Sequence, residues 1–219
     1  MNGSICRIAV TSVALLLGQT VCAQDSAVNW AGLYLGAAVG YSWSEPDYTE
    51  PDWPQYDWNP SVDGFVGGLY AGYNHPVNGL VLGVETDVLF GDQSEGADRN
   101  AWFNNDTTFD FDWTAHLRAR LGYPVGKTLV YLAGGVAWTR LEVGNTHPNY
   151  GTGKTSTLTG WTLGAGVEYA ATNTLALRLE YLYDDFGSEN YTFTGTGEPF
   201  VGRWEPSSST LRAGIAYRF

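Results

Sequence analysis

The feature that most constrains this chain is a two-residue alternation of apolar and small or polar residues. It recurs in eight segments of about ten residues, the length a tilted strand needs to cross a bilayer. In "LYLGAAVGYSW" one face carries Leu33, Leu35, Ala37, Val39, Tyr41 and Trp43. "GFVGGLYAGY" aligns Phe65, Leu69, Ala71 and Tyr73, and "LVLGVETDVLF" aligns Leu80, Leu82, Val84, Val88 and Phe90. In "DWTAHLRARLGY" the face from Trp113 to Tyr123 is apolar, and its reverse holds Thr114, His116, Arg118, Arg120 and Gly122. "TLVYLAGGVAW" faces Val130, Leu132, Val136 and Trp138 together; "GWTLGAGVEY" aligns Trp161, Leu163, Ala165, Val167 and Tyr169. "TLALRLEYLY" opposes Leu175, Leu177, Leu179, Tyr181 and Tyr183 to Arg178 and Glu180, and "STLRAGIAYRF" closes the chain. A period of two is a strand period, so the pattern predicts an all-β chain.

The connections alternate as well. "NHPVNG", "PVGK" and "ATN" are short turns, and the intervening connections run to about twenty residues or more. Short turns at one end and long loops at the other predict an eight-stranded antiparallel up-and-down transmembrane β-barrel. The long loops would be extracellular and both termini periplasmic. Aromatic residues mark the strand ends, from Tyr41 and Trp43 to Tyr217, where an amphipathic ring suits a lipid–water boundary.

Ahead of the first segment, Arg7 and the apolar run 8–18 form a leader too short to span a bilayer as a helix. Val21 and Ala23 sit at the small-residue positions of a cleavage site, which predicts a signal peptide over 1–23 and a barrel over 24–219. Val21 before Cys22 disfavours lipidation, where Gly or Ala would be expected. Both cysteines, Cys6 and Cys22, leave with the leader, so no disulfide, thiol nucleophile or cysteine metal ligand is expected. Arg7 leaves too, and 23 acidic residues then face 10 basic ones, a net charge of −13 that argues against nucleic acid as a partner. Only Lys127 and Lys154 are lysines, which hints that much of the exterior is not wet.

A soluble eight-stranded barrel would put the apolar faces inside. Three features oppose it: glycine crowds the other face, the charges there are arginine and carboxylate in near balance, and aromatics mark both strand ends. With lipid outside, the lumen receives Glu85, Asp87, Glu168 and Glu180 together with Arg118, Arg120, Arg178 and Arg212. Eight strands leave a bore just wide enough for side chains to fill. An unpaired buried charge costs about 3–5 kcal/mol, so an internal ion-pair network is expected, with Glu85 or Asp87 bonded to Arg118 or Arg120. The alternative is that some of these heads reach the barrel ends and stay wet.

The motifs "NWAGLYLG", "GVETD", "RARLGY", "YLAGG", "GWTLGAGVEY", "EYLYDDFG" and "LRAGIAYRF", in that order from Asn29 to Phe219, resemble the outer-membrane immunogenic-protein family of alphaproteobacteria. The resemblance implies an eight-stranded barrel, surface exposure and antigenicity; the label "porin" used for such proteins does not by itself imply conduction. The last strand, with Leu211, Ala213, Ile215, Tyr217 and a terminal Phe219, resembles the signal read by the barrel-assembly machinery.

No catalytic constellation is evident. His75 lies in a short turn, His116 in the lumen and His147 in a long loop, none with a serine and carboxylate at a recognisable spacing. His116 reads as a satisfied lumen residue, and no zinc spacing or phosphate loop is present, so no cofactor or metal is expected. The first long loop has six acids, no base and four aromatics, and the second, "GDQSEGADRNAWFNNDTTFDFD", is also acidic. Both read as a solvated cap; divalent-cation binding and aromatic anchors for a host or envelope surface partner are the alternatives. Three functions stand open: a structural, surface-exposed barrel in contact with outer-membrane lipid and lipopolysaccharide, a narrow diffusion pore, and an adhesin or ligand-binding protein acting through its loops.

Overall fold

The computed structural model describes residues 28–44, 47–49, 62–94, 107–145, 154–193 and 200–219. The expected leader, its cleavage point, most of the two acidic loops and His147 lie outside the described residues.

The described strands are β1 (Gly32–Ser44), β2 (Asp47–Thr49), β3 (Val62–Val77), β4 (Leu80–Ser94), β5 (Thr107–Val125), β6 (Thr128–Asn145), β7 (Lys154–Ala170), β8 (Leu175–Asp185), β9 (Glu189–Phe193), β10 (Phe200–Glu205) and β11 (Ser207–Arg218). Eight of them close an antiparallel barrel in the order β1-β11-β8-β7-β6-β5-β4-β3. The first and last strands form the seam, paired from Tyr34↔Arg218 to Ser44↔Ser208. Closure leaves no free edge within the barrel wall, the condition for strands to cross hydrocarbon. Beyond one end stands a small sheet, β2-β10-β9.

One end of the barrel carries the tight turns. Asn78 (φ 51°) and Gly79 (φ 82°) form a two-residue Asn-Gly hairpin turn, whose left-handed backbone matches the twist of the flanking strands. Gly126 (φ 58°) opens the next turn, and residues 171–174 make the third. The other, loop end differs from the sequence expectation. The connections there are shorter than about twenty residues where the ladder runs on past the apolar stretch. β6 and β7 remain paired out to Val143↔Lys154, leaving only 146–153 between the two strands. Residues such as Thr155, Ser156 and Thr157 alternate no hydrophobicity, yet their backbones still pair. The apolar pattern marks only the part of a strand that meets lipid.

Burial follows the alternation. Along β8 and β11, exposed and buried residues alternate almost without fault. The exposed ones are large and apolar: Phe65 is 80 % exposed and Leu132 60 %, whereas Arg118 and Arg212 are 1 %. A wall that is greasy outside and charged inside is stable only in a bilayer. Tyr123 and Trp113 stand at opposite ends of the apolar part of β5, ten residues apart. At the usual rise and tilt this is about 25 Å, the height of an outer-membrane apolar band.

Candidate functional site in the filled lumen

The lumen brings together all eight charged residues expected there, each no more than 4 % exposed. Glu85 of β4 is the hub. Arg118 Nη2 donates to its Oε1 at 2.5 Å, Arg120 Nη1 to its Oε2 at 3.0 Å, and Arg178 Nη2 to Oε2 at 2.6 Å. Arg118 also donates to Asp87 at 2.8 Å and, across the bore, to Glu180 at 2.9 Å. Arg120 and Arg178 converge on Glu168 at 2.7 and 2.5 Å. Arg212 joins Glu180 at 2.7 Å to Asp87 at 2.8 Å. No head of this set reaches the ends to stay wet. Each strand alternates, so Glu85 and Asp87, or Arg118 and Arg120, stack two residues apart on the inner face, and the ladder sets Glu85 directly opposite Arg118.

Aromatic rings complete the network, and the sequence expectation had not placed them there. The Tyr34 hydroxyl donates to Glu85 Oε2 at 2.7 Å and accepts from Arg120 at 2.5 Å. The Arg178 guanidinium lies 4.0 Å from the centre of the Tyr70 ring, and that of Arg120 4.0 Å from Tyr131. Every barrel strand thus contributes: Tyr34 from β1, Tyr70 from β3, Tyr131 from β6, and charges from the other five. A planar guanidinium can fork between carboxylates and stack on a ring at once, which an ammonium cannot, and this accounts for arginine in place of lysine. The signal that could have located these tyrosines is parity: each sits on the inward face of its segment, which for Tyr34 and Tyr70 is the glycine-rich one, out of step with the outward girdle.

Glycine on that face makes room for the rings. A Cβ on Gly36 would lie 2.3 Å from the Tyr70 ring, and one on Gly166 2.5 Å from the Tyr131 hydroxyl. Gly166→Ala is therefore expected to cost about 1–3 kcal/mol by overpacking, read as a lower melting temperature of the refolded barrel. Tyr131→Leu in the same chain should recover part of the loss; purely additive effects would show that the ring and the glycine are not coupled.

Two further layers flank the network. Toward the turn end, Trp30, Tyr34, Tyr70, Val81 and Leu129 belong to the buried apolar cluster. Arg218 caps it, with its guanidinium 4.7 Å from the Trp30 ring centre, donating to the carbonyls of Asn29, Thr172 and Asn173. Toward the loop end, His116 is buried as expected, with Nδ1 2.9 Å from Asp87 Oδ1. Asp184, a fifth buried carboxylate that the sequence reading omitted, lies 3.2 Å from His116 Nε2. Among the described residues no group of three or more His, Cys, Asp or Glu is arranged to hold a metal ion.

The chain matches the family model described as outer membrane protein beta-barrel domain over residues 11–219. It belongs to that family. It is 34 % identical over 208 residues to the 31 kDa outer-membrane immunogenic protein of Brucella melitensis, covering 87 % of this chain and 84 % of that protein. It is 30 % identical over 191 residues to the 22 kDa outer membrane protein of Rhizobium leguminosarum bv. viciae, covering 86 % and 79 %. These relatives agree with the resemblance carried by the motifs, and they are named as outer-membrane proteins, not enzymes. Among solved structures, OprG of Pseudomonas aeruginosa superposes with a TM-score of 0.55 at 12 % identity, covering 89 % of this chain and 99 % of OprG. Neisserial surface protein A superposes at 0.52 with 19 % identity, covering 86 % and 98 %. At such identities the likeness is one of fold. Among the described residues, this member of the outer-membrane barrel family thus has a bore filled by its own side chains from the apolar cluster at the turn end through the ion-pair layer.

Proposed function

We propose that this outer-membrane barrel is a structural, surface-exposed protein of the cell envelope with no enzymatic activity and no open channel. The observation that supports it is the filled lumen: an apolar plug and four carboxylates interlocked with four guanidiniums occupy the space a solute would need. In this reading the turn end and both termini face the periplasm, and the acidic loops face outward. The wall contacts lipid and lipopolysaccharide, and the strand ending in Leu211, Ala213, Ile215, Tyr217 and Phe219 engages the barrel-assembly machinery before it closes on β1.

Planar-bilayer recording on the refolded protein tests the reading. A flat baseline is expected across the usual voltage range. Steady openings whose size changes on replacing Arg118 or Glu85 would overturn it in favour of the narrow pore. Protease added to intact cells should cut within the long loops and leave the turns untouched; cleavage at the turns would invert the orientation.

A further inference from the structure

Above the ion-pair network, on the loop side of His116, lies a cavity of about 20 Å³. Its lining mixes apolar residues with residues that carry a hydroxyl or carboxylate, among them Ser42, Thr114, Thr139, Ser208, Thr210 and Asp184. Asp184 is 2 % exposed, and its Oδ1 has no hydrogen-bond partner. His116 Nε2 makes a 3.2 Å ion-pair contact with this oxygen at an angle outside hydrogen-bond geometry, and Asp184 Oδ2 accepts from the Ser208 hydroxyl at 3.4 Å. Thr162, directly across the β7–β8 ladder from Asp184, is equally buried, and its hydroxyl also lacks a partner. The other four lumen carboxylates are each gripped by at least two guanidiniums, and among the described residues none of these guanidiniums contacts Asp184. Arg218 is at the opposite end of the bore, where it donates to backbone carbonyls.

We infer that this chamber binds one monovalent cation of about sodium size, held by Asp184 and the surrounding hydroxyl oxygens. A buried carboxylate oxygen that makes no hydrogen bond calls for a positive charge on its open side, and the His116 contact meets it only off-axis. Hydroxyl and carboxylate oxygens are hard donors, suited to a hard ion. The volume admits one particle of water size and excludes an organic ammonium. A single carboxylate balances one charge, which favours a monovalent over a divalent ion. The ion would knit β1, β5, β6, β8 and β11 together at the loop end, where the guanidinium network does not reach.

The test uses the refolded mature barrel in zwitterionic micelles, melted in sodium chloride and in choline chloride at equal ionic strength. Sodium is expected to raise the melting temperature in a saturable way, by about 3–6 °C at ten times its dissociation constant, and choline to leave it unchanged. Asp184→Asn should abolish the difference between the two salts. Ser42→Ala, the milder change if the first variant folds poorly, should move the sodium midpoint about fivefold higher or more. Equal responses to sodium and choline would overturn the inference: the chamber would then hold water only, with His116 supplying the positive charge. A sodium effect that survives both substitutions would overturn it as well, by locating the ion elsewhere, such as in the acidic loops.

Discussion

Glu85→Gln is expected to lower the melting temperature of the refolded barrel by about 6–20 °C, the largest effect of any single isosteric change in the lumen. The amide has the shape of the carboxylate and none of its charge. Three guanidiniums, Arg118, Arg120 and Arg178, now converge on Glu85 within 3.0 Å. Without it they face one another across a bore from which water is excluded. Breaking a buried ion pair by removing one partner costs about 3–5 kcal/mol, because the partner left behind is still desolvated. The same change at the rim supplies the control: Asp63 is exposed and hydrogen-bonded to Tyr41, and Asp63→Asn should shift the transition by no more than about 2 °C. Thermal melts followed by circular dichroism, or loss of the compact band on an unheated gel, would measure both. If Glu85→Gln melts with the parent, water must enter the bore freely enough to screen these charges, and the bore cannot be counted as closed.

The network was legible in the sequence because two simple rules apply to every member. Strand parity decides which face a residue takes, and a narrow bore forbids an unpaired charge. Those rules suffice to bring Glu85 or Asp87 to Arg118 or Arg120, and the strand ladder then sets Glu85 opposite Arg118. They say less about groups that do not announce themselves by charge. Tyr34, Tyr70 and Tyr131 have the right parity, yet an aromatic near a strand end reads first as part of an interfacial girdle. Only the glycines beside them, Gly36, Gly72 and Gly166, betray that a ring must be seated inward. Asp184 shares the parity of Glu180, but it follows an aromatic girdle residue and precedes a second aspartate, so it reads as the start of a loop. Trp30 precedes the first strand altogether, and no periodicity reaches it. The strand extensions beyond the membrane escaped for a related reason: backbone pairing persists where the hydrophobic signal has already ended.

Trp30→Ala should destabilise the barrel by about 3–5 kcal/mol and still leave it non-conducting. Trp30 is 3 % exposed, and its ring is covered by the Arg218 guanidinium, which also ties the N-terminal lead-in to the β7–β8 turn through three backbone carbonyls. Removing the indole empties a large volume and leaves Arg218 without its stacking surface, so the turn end should fray and the melt should broaden at its foot. Conduction is a different matter, because closure is redundant. The charged layer above Trp30 draws on all eight barrel strands and is held by the strand ladder, independently of the lead-in segment. Melting curves and bilayer recordings on the same preparation separate the two roles. If Trp30→Ala opens steady currents while Glu85→Gln does not, the apolar stopper is the seal and the ion-pair layer serves stability alone. If neither change conducts, each layer suffices, and only a chain altered in both should pass ions.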